Sequence, residues 1–353
     1  MYINVDIHQA LYEIADVPMV DLRSPGEYAE ATIPGAYNIP LLDNIERALV
    51  GTVHKNQGPG KARELAMEIV APRLPVFIRS FQSIAPDKEV IIFCWRGGDR
   101  SHFAGSILDA MGFKVYRIVG GFKAHRRLVV AYFDREKLPL RAVVTHGLTG
   151  VGKTDLLLAL KDMGYPVLDL EGLARHRGSV FGKIGQPPSP KQKMFEALIE
   201  RELRGAEKTG IFLVECESKR LGSLYVPDAV LNNMQEGHRI LLYAPVNVRV
   251  QRIIKDYAVG GPGNLVALQG AIARLTKYLG KNNVARLNQE LAAGNAEEVI
   301  SYLLHRYYDP LYKYPDQPSD AYDLSINTEN MSQAIKKVSD FINGLPEYTT
   351  PRG

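Results

Sequence analysis

Cysteine and tryptophan are scarce in this chain of 353 residues, which has two of the first and one of the second. Two cysteines far apart in sequence, Cys94 and Cys216, argue against a disulfide framework and for a reducing, cytoplasmic setting. No apolar run approaches the roughly 18–20 residues of a membrane span, and the N-terminus lacks a signal-peptide pattern, so no membrane association is expected. Internal repeats and low-complexity tracts are absent too. The formal net charge is only +4, which by itself says nothing about nucleic acid. Acid, however, is missing locally. Between Gly172 and Phe195 there is no Asp or Glu, but Arg175, Arg177, Lys183, Lys191 and Lys193 are present. Between Tyr257 and Gln289 acids are again absent, and Arg274, Lys277, Lys281 and Arg286 remain. Such one-sign stretches on a near-neutral chain suggest a polyanionic partner. The i, i+3, i+7 spacing of Arg274, Lys277 and Lys281 predicts one helix face.

The length suits two domains, expected at 1–135 and 136–353. In the first, residues 17–22, 89–93 and 114–119 read as strands and 62–70 as a helix. Residues 51–61, rich in glycine, read as a loop, and 126–140 as a connector. In the second, strands are expected at 141–145, 166–170, 211–215, 239–244 and 322–326. Helices are expected at 154–163, 191–207, 246–256, 264–279, 283–293 and 330–343. Strands alternating with helices predict α/β domains with mostly parallel sheets.

Two segments carry chemistry. Cys94-Trp95-Arg96-Gly97-Gly98-Asp99-Arg100-Ser101 follows an apolar strand and precedes a helix for which Ser101 is a plausible cap. Unfilled N–H groups and the cations of Arg96 and Arg100 favour a thiolate or a bound oxyanion there. Gly147-Leu148-Thr149-Gly150-Val151-Gly152-Lys153-Thr154 fits G-x-x-x-x-G-K-[ST] between a strand and a helix. Gly147, Gly150 and Gly152 let N–H groups converge on phosphate, Lys153 reaches a terminal phosphate, and Thr154 can ligate Mg²⁺. Glu215 and Glu217, at the end of a buried strand pattern, are candidate acids or Mg²⁺ ligands. Cys216, with no arginine or glycine loop around it, reads as structural.

Asp21-Leu22-Arg23-Ser24-Pro25-Gly26-Glu27-Tyr28, Thr32-Ile33-Pro34-Gly35-Ala36-Tyr37-Asn38-Ile39-Pro40 and Gly120-Gly121-Phe122 resemble rhodanese segments, and Cys94 falls at the place of that family's persulfide cysteine. The loop has C-x5-R-S where a single-domain rhodanese has C-x4-R-S, and this spacing suits a whole phosphate group. With the P-loop behind it, Cys94-Trp95-Arg96-Gly97-Gly98, Gly178-Ser179-Val180-Phe181-Gly182 and Tyr308-Asp309-Pro310-Leu311-Tyr312, the chain resembles the tRNA 2-selenouridine synthase family.

That resemblance implies a rhodanese-like parallel-sheet domain followed by a P-loop NTPase-like α/β domain with helical additions. It implies replacement of sulfur by selenium in wobble 2-thiouridine of tRNA. Geranyl diphosphate would supply an S-geranyl intermediate and selenophosphate the selenium, with Mg²⁺ as a candidate ion and no tightly bound cofactor. A selenophosphate-producing enzyme is a candidate partner. Cys94, Arg96 and Arg100 would serve selenation, and Arg175, Arg177, Lys183, Arg274, Lys277 and Lys281 would meet the tRNA. Tyr307, Tyr308 and Tyr312 could stack on the base or belong to the core. The alternative reading is a rhodanese sulfurtransferase fused to an ATP-dependent RNA-modifying or kinase domain. A phosphatase and a regulatory module with a nucleotide-sensing P-loop rank lower.

Overall fold

The structure, a computed structural model, describes residues 2–14, 16–178, 181–258 and 262–350. Contacts divide the chain into two units, Met1–Tyr132 and Phe133–Gly353. The first unit has strands β1 (Ile3–Val5), β2 (Met19–Asp21), β3 (Tyr37–Asn38), β4 (Glu89–Phe93) and β5 (Lys114–Ile118). They pair in the order β1-β5-β4-β2-β3, every pair parallel. The central β4 is buried from Val90 to Phe93, as expected of a parallel strand covered on both faces. Around the sheet run α1 (Ile7–Tyr12), α2 (Pro25–Glu30), α3 (Asn44–Val70), α4 (Leu74–Ile84), α5 (Asp99–Ala110) and α6 (Gly121–Phe133). Ser24 caps α2, and the Glu27 side chain returns to the Ser24 N–H, so the turn after β2 is fixed by its own sequence.

Three readings of this unit are corrected. Residues 51–61 are not a loop but part of α3, which breaks only at Gly58 (φ 87°). Pro59 then occupies the first turn of the renewed helix, where its missing N–H costs nothing. Residues 126–133 belong to α6 and not to a connector. The helix after Cys94 begins at Asp99 with Gly98 as its cap, which leaves Ser101 inside it.

The second unit holds β6 (Arg141–His146), β7 (Val167–Leu168), β8 (Ile211–Glu215), β9 (Arg220–Leu221), β10 (Leu224–Tyr225), β11 (His238–Tyr243) and β12 (Leu324–Asn327). The main sheet, again all parallel, runs β12-β11-β6-β8-β7, with β9 and β10 forming a separate antiparallel pair. Strand order reverses at β6, and in open α/β sheets ligands bind beyond the carboxyl ends of the strands at such a point. Its helices are α7 (Lys153–Asp162), α8 (Leu170–Ala174), α9 (Gln192–Ala206), α10 (Asp228–Glu236), α11 (Val246–Ala258), α12 (Pro262–Arg274), α13 (Thr276–Leu279), α14 (Lys281–Ala292), α15 (Ala296–Leu303), α16 (Asp309–Tyr312) and α17 (Met331–Asn343). A π-helical turn, Leu304–Tyr308, joins α15 to α16. One core lies against the sheet, around Val143, Leu213, Leu242 and Val338. A second, around Ile272, Leu287, Val299 and Leu304, lies among the added helices.

The expected helix over 264–279 is interrupted at Leu275, and Gly280 (φ 81°) ends the next piece. Arg274, Lys277 and Lys281 therefore sit on three successive helices and not on one face.

The segment between α6 and β6 is held by Asn233 of α10. Its side chain accepts from the Leu138 N–H at 2.8 Å and donates to the Leu138 and Leu140 carbonyls at 3.1 and 2.5 Å. Asn233→Ala would leave these buried backbone groups unpaired at a cost of about 3 kcal/mol. A lowered denaturation midpoint by circular dichroism is the expected result.

Candidate functional site

Two strand-to-helix turns define candidate sites, one in each unit. In the first, the carbonyls of Cys94 and Trp95 accept from Phe122 and Lys123 at 2.9 and 3.0 Å, so the start of α6 fixes the outer side of the loop. Gly121 makes this approach possible, because a Cβ there would meet the Cys94 oxygen at 2.2 Å. Among the described residues no backbone acceptor takes the N–H groups of Trp95 through Gly98. Such a nest suits an oxyanion.

Cys94 is buried, with its Sγ 3.3 Å from the Ser101 hydroxyl. Arg100 turns to Glu27, its Nη1 donating to Oε2 at 2.7 Å. Burial pushes the Glu27 carboxyl up, but the Arg100 guanidinium outweighs it and holds the group below its usual range. Arg96 is exposed and pairs with no carboxylate among the described residues. The two arginines expected to act alike are thus different: one is engaged by the protein and the other is available to a ligand.

In the second unit, Gly147, Gly150 and Gly152 all have positive φ, and a Cβ at Gly147 would meet the Leu242 oxygen at 2.2 Å. No intramolecular backbone acceptor takes the N–H groups of Gly150, Gly152, Lys153 or Thr154 among the described residues. Lys153 Nζ reaches back to the Gly147 carbonyl at 3.2 Å, and Thr154 Oγ1 donates to Glu215 Oε1 at 2.5 Å. The loop is braced from behind by α11. Arg249, fully buried, donates to the Thr149 carbonyl at 2.8 Å and forms a two-pronged pair with Asp309 at 3.0 and 2.5 Å. Arg252 and Thr328 both bond to the Val151 carbonyl, at 2.8 and 2.6 Å. These carbonyls face away from the cradle, which leaves its N–H groups for a ligand.

Glu171, Glu215 and Glu217 offer carboxylate oxygens within 4.8 Å of one another. Burial, and then the two neighbouring carboxylates, push Glu171 up to about 9. Burial, and then Glu215, push Glu217 up to about 7 against the pull of Lys153. Three crowded oxygen donors beside Thr154 fit a hard divalent cation such as Mg²⁺.

A cavity of about 620 Å³ opens from this polar end, within the size range of small-molecule sites. Gly147, Gly150, Lys153, Thr154 and the three glutamates line one part of it. Ile253, Leu268, Ile272, Leu291, Val299, Ile300 and Leu303, from the added helices, line another, together with Phe181. Tyr308, Tyr312 and Tyr314 also line it, the rings of Tyr308 and Tyr312 being nearly parallel with centroids 6.4 Å apart.

Residues expected to contact RNA are dispersed. Arg175 and Lys183 are exposed and bond locally, to the Pro188 carbonyl at 3.1 Å and the Ser189 hydroxyl at 2.8 Å. Arg177 lines the cavity. Arg274, Lys277 and Lys281 are exposed. Of the segment 178–182, Ser179 and Val180 lie outside the described residues. Cys216 lines the polar part of the cavity and accepts from the Tyr314 hydroxyl at 3.3 Å.

Glu171, Arg249 and the apolar wall were not singled out in the sequence. Glu171 follows β7, and an acid just beyond a parallel strand was the one available signal.

Residues 140–340 match the family described as the tRNA 2-selenouridine synthase AAA domain, and residues 5–128 the rhodanese-like domain. A protein named tRNA 2-selenouridine synthase from Nitrosomonas europaea is 32% identical, the similarity covering 88% of this chain and 91% of that protein. Two more of that name, from Pseudomonas putida and Azotobacter vinelandii, are 33% and 34% identical, each over 85% of this chain and 88% of its own length.

The raised carboxyls predict a pH effect. A folded-state value above the unfolded one means that stability present at low pH is lost as pH rises through the folded value. Glu171→Gln cannot charge. In buffer free of divalent cations, its Tm should match the parent near pH 5 and exceed it increasingly toward pH 9. A difference that does not change with pH would contradict the raised value.

Proposed function

The chain belongs to the tRNA 2-selenouridine synthase family, and from that premise we propose that it replaces sulfur by selenium in 2-thiouridine of tRNA through an S-geranyl intermediate. One observation carries the geranyl step: a single cavity joins a phosphate cradle to an apolar chamber. An amphiphile with a diphosphate head and a ten-carbon prenyl tail fits both parts. The adenosine of a nucleotide would meet the isoleucines and leucines with its ribose and base.

In the first step the thiocarbonyl sulfur of 2-thiouridine attacks C1 of geranyl diphosphate. The C1–O bond breaks, diphosphate leaves with the electron pair, and N3 loses its proton. Lys153 and the N–H groups of Gly150, Gly152 and Thr154 stabilise the charge that develops on the departing oxygens, a stabilisation that grows toward the transition state. A divalent cation held by Thr154 and the Glu171, Glu215 and Glu217 carboxylates would supply further neutralisation of that charge.

Alkylation converts a poor leaving group into a good one, and this is its chemical purpose. Selenium, delivered as a phosphate-bearing nucleophile, then adds at C2 and the geranyl thiol leaves. The Cys94 loop supports this step: its N–H groups and Arg96 suit the phosphate of selenophosphate, and the thiolate attacks phosphorus in the selenium–phosphorus bond left by that addition. An S–P bond forms, the Se–P bond breaks, selenium stays on the base with the electron pair, and water then releases the phosphoryl group as phosphate. Mass spectrometry of a stalled Cys94 adduct tests this route: a phosphoryl adduct is expected, and selenium on the thiol, which would need a two-electron oxidant, would contradict it.

Lys153→Ala is expected to lower S-geranyl formation at least about a hundredfold in nucleoside analysis of thiolated tRNA, the scale of losing one charge-stabilising donor. Cys94→Ser is expected to geranylate normally and to form no selenouridine. Intact geranylation by the Lys153 variant would overturn the assignment of the P-loop. For the exposed cations, Lys277→Glu should weaken tRNA binding and reduce the slope of log affinity against log salt by about 1 for each phosphate that is no longer neutralised.

A further inference from the structure

The Cys94 loop carries an aromatic surface that anion binding does not explain. Trp95, the only tryptophan of the chain, is 37% exposed although an indole gains much from burial. It is nevertheless firmly held. Its carbonyl accepts the Lys123 N–H at 3.0 Å, and its ring centroid lies 5.6 Å from that of Phe122 at an interplanar angle of 37°. The Arg23 guanidinium lies 3.9 Å from the Phe122 centroid and 5.8 Å from that of Trp95. Arg23 is itself fully buried and fixed to Asp21, with Nη2 donating to Oδ2 at 2.5 Å. An indole backed by a second ring and a locked guanidinium, yet open to solvent beside a nucleophile, is a rigid platform.

A phosphate-bearing donor is recognised by N–H groups and cations and has no use for such a surface. The other reactant of the selenation step is a planar pyrimidine, which must leave its stack to be reached at C2. Bases taken from their neighbours restack on aromatic side chains. We propose that Trp95 is the platform on which the target pyrimidine stacks while its C2 substituent is exchanged at the Cys94 loop. Phe122 and Arg23 act as positioning residues beneath it. The assignment rests on the reading that Cys94 serves selenation.

Because Trp95 is the only tryptophan, its fluorescence reports contact without turnover. The full-length protein is titrated with an anticodon stem-loop RNA that carries S-geranyl-2-thiouridine, plain uridine or an abasic site at the wobble position. Both base-bearing RNAs should change the emission saturably, and the abasic RNA, which keeps every phosphate, should not. Trp95→Ala should raise the KM for selenation of the geranylated RNA about tenfold, the effect of losing one base–aromatic stack, with Trp95→Phe restoring most of it. An equal response to abasic RNA overturns the proposal. So does a response to the geranylated RNA alone, which would put the prenyl chain on the indole. The premise is read independently: selenation by Cys94→Ser would remove the reaction from this loop whatever the fluorescence shows.

Discussion

Backbone N–H groups with no backbone acceptor among the described residues are the constraint on which both units depend. A parallel strand that stops and turns into a helix strands several donors in a small volume. At Cys94–Ser101 and at Gly147–Thr154 the chain keeps them converging instead of turning them to a neighbour. In each case the matching carbonyls are drawn outward by a second layer, the start of α6 in one unit and Arg249, Arg252 and Thr328 in the other. Glycine is required where backbone comes closest, at Gly121 against the Cys94 carbonyl and at Gly147 against the Leu242 carbonyl of β11. Both turns suit an oxyanion, and the proposed chemistry supplies one phosphate-bearing donor for each.

The surroundings decide what each turn can do. The first has a thiol, the exposed guanidinium of Arg96 and an exposed indole, which together suit a reactive donor meeting a ring. The second has Lys153, three carboxylates and an apolar chamber. Burial and the crowding of Glu171, Glu215 and Glu217 beside Thr154 push the Glu171 and Glu217 carboxyls up, which is a cost to the folded state at neutral pH. Such a cost persists at sites where a cation and a polyanion offset it. The π-helical turn at Leu304–Tyr308 belongs to the same design. It lies between α15, which walls the chamber, and Asp309, which locks Arg249 onto the P-loop.

How much of this was legible follows from how local each feature is. The two turns could be read because their chemistry lies within eight consecutive residues, with strand and helix on either side. The parallel α/β class followed from the alternation of short apolar runs and helix-period stretches. Glu171 could not be placed beside Glu215 without knowing that β7 lies next to β8. Arg249 lies in the helix expected over 246–256, and nothing local says that it is buried. The chamber was hidden for a similar reason: Ile272, Val299 and Leu303 have the spacing of core residues, and the same spacing serves a wall around a ligand. Gly58 and Pro59 read as loop formers, but a kink consumes only one residue and the helix resumes after it. The expected basic face failed because Leu275 and Gly280 divide it among three helices.

The central claim is that the second cradle takes a diphosphate attached to an apolar chain. Titration calorimetry of the full-length protein with geranyl diphosphate, inorganic diphosphate and ATP, each with Mg²⁺, tests it most directly. Burying even four methylene equivalents at about 0.8 kcal/mol each corresponds to a factor of more than a hundred in affinity. Geranyl diphosphate should therefore bind at least a hundredfold tighter than either of the other two. ATP binding as tight as geranyl diphosphate, or tighter, would contradict it.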